Sequence, residues 1–277
     1  MLCKKLHSNT NIYNGDAKKV NRKIYSNKLT TKYIALIAVF SALYAMLRYL
    51  PLGPMIGLQG SFSFSDTLAP LMGIILGPFA GGASVIIGTF TAAALGKPII
   101  FFGLDFLPGF INCIAMGLLI KRKWKPVAAL YALLLGIFLF SPYSLLTVQV
   151  SALAIPFAWM HIVAFIVFLS PLRGRAVDNI KKFNIPKMAL SLAGLAYIGT
   201  MLQHITGCLL TQLTLGVFSD GTTNFSEMWT AIFYAYPFER GLIIIVTVII
   251  GVPLITAIKK AMLPFETPIN DQPEKTK

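Results

Sequence analysis

The chain has 277 residues, 56% of them hydrophobic and only 12% charged, with a mean hydropathy of +0.73. A soluble domain carries about a quarter charged residues, so the composition excludes a soluble globular protein and indicates a polytopic membrane protein. The net charge of +14 does not indicate nucleic-acid binding, because 21 of the 24 Lys and Arg residues lie in four segments outside the apolar runs.

The first of these segments is residues 1–32, which hold 8 Lys and Arg. It is too long and polar for a simple signal region. The following "YIALIAVFSALYAML" meets no small-residue cleavage site, so it reads as a retained helix. That first apolar run, Tyr33–Leu50, carries Ala38 and Ala42 at the small-xxx-small spacing that lets helices approach closely in lipid. The spacing serves internal packing or docking to a partner equally well. The loop Pro51–Ser65 has no charge but three glycines and two prolines. Asp66 follows, in "SFSDT", where its carboxylate is placed to cap a helix start.

The next apolar stretch, Thr67–Leu95, contains "GPFAGG". Pro78 removes a backbone donor and disfavours helix at Gly77. As one helix the stretch gives seven crossings and scatters the basic segments across both sides. Split at Gly77-Pro78, it gives eight, and all four basic segments share one side, as cytoplasmic loops do. The remaining runs are Ile99–Ile120, Pro126–Phe140, Leu145–Ser170, Met188–Leu215 and Phe238–Ile258. Between them lie "KRKWK" at Lys121–Lys125, the turn Ser141–Ser144, the basic loop Arg173–Lys187 and the polar loop Gly216–Glu227. The chain therefore reads as an all-α bundle of about eight transmembrane helices with both termini cytoplasmic. Its parts are a basic tail 1–32, a membrane domain 33–260 and a polar tail 261–277.

No catalytic signature stands out. "GTFTAAALGKP" ends in Gly-Lys but lacks phosphate-loop spacing, and Pro98 replaces the required hydroxyl residue. His204 and Cys208 share a helical face, with His161 as a third ligand in reach of sequence logic. A hydrogen-bonded core histidine and an apolar cysteine explain them better than a metal site. Cys3, Cys113 and Cys208 form no disulfide framework.

Charges inside the spans are harder to explain structurally. Arg48, Asp105, Glu239 and Arg240 fall at or just inside helix ends on the outer side. A charge at mid-bilayer costs about 2.5–3.5 kcal/mol even on the lenient insertion scale, so it pairs or lines a polar cavity. Asn112, Trp159, His161, Gln203 and His204 lie deeper. Together these residues suggest an outward-facing pocket for an organic solute.

In Ala38-x-x-x-Ala42, the "SFSD" entry, "LGPFAGGASVIIGTF" and "YPFERGLIIIVTVIIGVPLITAIKK", the chain resembles the substrate-binding (S) components of energy-coupling factor transporters. The resemblance covers 33–120 well and 238–260 loosely. It implies a multi-pass protein of the cytoplasmic (inner) membrane, in contact with lipid, that captures a vitamin or related micronutrient from outside. It also implies a transmembrane coupling subunit, docked on the alanine motif, and two ATPase subunits as partners. The loop Pro51–Ser65 would then close over substrate. No cofactor, metal, enzymatic activity or nucleic-acid partner is implied. Family members have six spans, so 126–170 reads as an inserted pair. A stand-alone secondary transporter and an intramembrane enzyme acting on a lipid-like substrate are the alternatives.

Overall fold

The computed structural model describes residues 34–182, 185–219 and 222–260, together with Thr31. The tails expected to be cytoplasmic, 1–32 and 261–277, lie almost wholly outside the described residues. Eight helices and two short antiparallel hairpins make up the described chain. By length and composition, three helices can cross a membrane, or four if one bent pair counts as a single span.

Helix α1 (Ile34–Leu47) buries Phe40, Ser41, Tyr44 and Ala45, which share one face at helical spacing. It leads into a hairpin of β1 (Pro51–Pro54) and β2 (Ser61–Ser63), so the Gly- and Pro-rich loop has ordered strands. Helix α2 (Ser65–Ala94) follows and is broken at Gly77, whose φ of 81° and ψ of 175° are not helical. Such a φ suits glycine, which has no Cβ to clash. Beyond the break the chain doubles back, because a methyl at Gly81 would stand 2.8 Å from the Met72 carbonyl oxygen. An unbroken helix would separate these two residues by about 13 Å at 1.5 Å per residue. The expected split at Gly77-Pro78 is therefore present in the fold.

Helix α3 (Leu107–Ile120) fits into this bend. Gly73 lies against the Cys113 carbonyl and Gly117 against the Pro78 backbone, so two helices approach where neither carries a side chain. Gly73 thus serves internal packing. On the other face, Ser84 donates to the Ile37 carbonyl and Tyr49 donates to the Ala92 carbonyl, tying α1 to the second half of α2.

The expected sixth span, Leu145–Ser170, is not one helix. After α4 (Trp124–Phe140), residues Thr147–Val150 (β3) and Leu153–Pro156 (β4) form a hairpin through Ser151, and only Trp159–Leu169 (α5) is helical. β-branched and small residues alternating around Val148 and Ile155 suit a strand as well as a helix, and apolar content alone could not separate the two. Helix α5 is followed at Ser170-Pro171 by α6 (Leu172–Lys182), bent from it by 70°. The pair expected as an insertion is not peripheral. Phe157 packs among Phe138, Trp229 and Tyr236, and the Tyr236 hydroxyl donates to its carbonyl at 3.0 Å.

Helix α7 (Ile185–Gln212) ends in a π-helical turn, Leu213–Val217, and α8 (Phe225–Lys260) begins well before the expected Phe238. Two basic segments meet at the end of the bundle away from the start of α3. Arg122 pairs with Asp178, and the Arg173 guanidinium stands 4.1 Å over the Trp124 ring.

Candidate functional site

At the opposite end, one cavity, partly open to solvent, lies among α1, α2, α3, α7 and α8. Helices α1, α7 and α8 send residues to it at helical spacing. Tyr44 and Arg48 come from α1 and its end, Gln203, His204, Gly207, Cys208 and Thr211 from α7, and Trp229, Ile232, Ala235, Glu239 and Arg240 from α8. The β1–β2 hairpin forms a roof through Met55, Ile56, Leu58, Ser61, Phe62 and Ser63. Its short antiparallel pairing is set between Pro51 and Ser63 and between Pro54 and Ser61. The roof is thus a discrete element that closes on the helix ends.

Charge at the site is concentrated. The three Lys and Arg residues outside the four basic segments of the sequence are Arg48, Lys97 and Arg240, and all three line this cavity. Asp66, Asp105 and Glu239 face them. Lys97, just past the end of α2, is held below its ordinary pKa by partial burial and then by the Arg48 charge. Arg240 is only 1% exposed. Its guanidinium lies 4.7 Å from the Phe62 ring, a cation–π distance, and its Nη2 is 3.5 Å from the Glu239 carboxylate.

Behind the charges runs a chain of amides. The Asn112 side chain donates to Gln203 Oε1 at 2.8 Å, and Gln203 Nε2 donates to Asp66 Oδ1 at 2.8 Å. Both ends of the Gln203 amide are therefore used, which orients it and holds Asp66 toward the cavity. Asp105 accepts the backbone N–H groups of Ile100 and Phe101 at 2.9 and 3.0 Å, shaping the loop that enters α3. His204 shares a 3.0 Å hydrogen bond with His161 and stacks on Tyr236 with ring centroids 5.0 Å apart.

Of the residues expected from sequence, Arg48, Asp66, Asp105, Gln203, His204, Glu239 and Arg240 border this one space. Three others do not. Asn112 lies one hydrogen bond behind it, through Gln203, and His161 lies one hydrogen bond behind it, through His204. Trp159, at the start of α5, is 37% exposed and away from the cavity. Asp66 also departs from its expected role. The residue before α2 is Phe64, with no side-chain cap, and Asp66 sits within the first turn, reaching Gln203 and the Ser63 backbone.

Sequence reasoning missed Lys97 and Trp229, whereas the roof residues fall in the loop Pro51–Ser65 that was expected to close over substrate. Lys97 carried a readable signal, since it is the third cation left when the four basic segments are set aside. Trp229 carried none, because it lay between the polar loop Gly216–Glu227 and the apolar run beginning at Phe238. No family model, curated protein or solved structure matches this chain. The function must therefore be argued from the site itself.

Proposed function

We propose that this chain is the substrate-capture (S) subunit of an energy-coupling factor transporter, binding a vitamin-like micronutrient for ATP-driven uptake powered by separate subunits. The observation that carries the reading is the roofed, charged cavity at one end of a helical bundle. A site of that form can hold a solute, with the hairpin roof placed to close over it. The resemblance in the first two spans gives the same role to the loop that forms this roof.

In this reading the eight apolar segments lie in the cytoplasmic membrane, short ones included, because short spans are tolerated where protein surrounds them. The cavity faces outside, and both termini face the cytoplasm. Cysteines introduced as Lys123→Cys and Arg175→Cys are then protected from an impermeant external reagent, whereas Thr223→Cys is labelled. External labelling at position 123 would overturn this orientation.

The partner surface is on α1. Ala38 and Ala42 are exposed on the face opposite Phe40 and Tyr44, beside the exposed Val39, Leu43 and Met46. An apolar face with a shallow alanine groove suits close approach of a coupling-subunit helix. Uptake of the solute that co-purifies with the chain should require co-expression of the coupling and ATPase subunits. The double variant Ala38→Leu, Ala42→Leu should abolish that uptake and leave solute affinity unchanged. Uptake by this chain alone would favour a secondary transporter instead.

A further inference from the structure

The cavity lining has three cations and three acids, but their hydrogen-bonding capacity is used unequally. Asp105 is occupied by two backbone N–H groups and Asp66 by Gln203. On the cationic side, Nε and Nη2 of Arg240 and Nε of Arg48 are buried without a hydrogen-bond partner. Glu239 neutralises Arg240 at 3.5 Å without making that bond. A guanidinium carries only donors and stays charged, so unmet donors in a buried site are costly until an acceptor arrives. Both guanidinium groups line the same cavity.

The charge count limits that acceptor. Lining charges nominally cancel, so a monoanion leaves one excess negative charge in a partly dehydrated space. A phosphomonoester, at about −1.5 to −2, leaves more. The rest of the wall is apolar and aromatic, with Phe62, Phe101, Trp229 and Ile232 on the lining. We infer that the cavity takes a water-soluble monocarboxylate with an apolar, ring-sized body, its carboxylate held by Arg240 and Arg48. The inference names the solute class within the capture reading and rests on it for the import of that solute.

The test uses the purified full-length chain, dialysed free of co-purified solute, and four probes with similar bodies: 3-phenylpropionate, its amide, its alcohol and phenyl phosphate. Thermal stabilisation and ligand-observed NMR give the order of affinity. The carboxylate should bind at least about tenfold more tightly than the amide or alcohol, and more tightly than the phosphate. Arg240→Gln should erase the preference for carboxylate over amide. The comparison on the unaltered protein decides the matter even if that variant does not fold. Equal affinity for the four probes, preference for the phosphate, or no binding of the carboxylate would overturn the inference. The two readings fail separately. Carboxylate binding with uptake independent of ATPase subunits removes only the capture role, and coupled uptake of a neutral solute removes only the carboxylate.

Discussion

Gly73→Ala is expected to destabilise the protein by about 3 kcal/mol, the upper end of the usual cost of overpacking. The added methyl would meet the Cys113 carbonyl and stand 3.0 Å from the Gly117 nitrogen, and both are backbone atoms of α3. A flexible side chain could move aside, but a helix backbone moves only as a whole. Moving α3 would open its contact with Pro78, and shift the start of α3, where Pro108 and Gly109 border the cavity. Gly194→Ala is the matched control. It lies within α7, where a methyl meets nothing within 4 Å. That change should be neutral or should stabilise by up to about 1 kcal/mol through helix propensity. Thermal unfolding of the two purified variants separates the cases. Equal stability would mean that the α2–α3 contact is looser than the structure describes.

The second large effect is expected at Asp66. Asp66→Leu should cost about 1–3 kcal/mol, because it takes the carboxylate bonded to Gln203 out of a lining that Asp66 shares with Arg48, Lys97 and Arg240. The change also strands the Gln203 Nε2 donor, which Asp66 now accepts at 2.8 Å. Asp66→Asn keeps an oxygen for Gln203 and removes only the charge, so its loss should be smaller. Combining Asp66→Asn with Arg240→Gln removes both charges, and the double variant should be more stable than the sum of the single effects predicts. The expected coupling is at least about 1 kcal/mol, within the range for residues sharing a network. Additive effects would show that Arg240 is balanced by Glu239 alone.

How much of this was legible beforehand depended on which physical signal each residue carried. Composition and the placement of Lys and Arg were sufficient for a membrane protein, because hydrocarbon excludes charge wherever the chain runs through it. The break at Gly77-Pro78 was equally readable, since a proline after a glycine disrupts helix through local sterics. Arg48, Asp105, Glu239 and Arg240 drew attention because a charge in an apolar run needs a partner or a cavity. Their convergence was not readable from the sequence. Arg48 and Arg240 are separated by most of the chain, and only the packing of α1, α2, α7 and α8 brings them to one cavity with Asp66.

Three features were decided by tertiary structure alone. Leu145–Ser170 is apolar enough for a span, but strand pairing between β3 and β4 captured its first half, and apolar content does not distinguish a strand from a helix. That choice set the start of α5 at Trp159. Asp66 satisfied every local rule for a helix cap, yet its carboxylate reaches a glutamine 137 positions away, a partner no local rule contains. Trp229 became cavity wall because α8 extends beyond its apolar run. Charge exclusion and proline sterics act over a few residues and were visible in the sequence, whereas the assembly of the site depends on contacts between segments far apart in the chain.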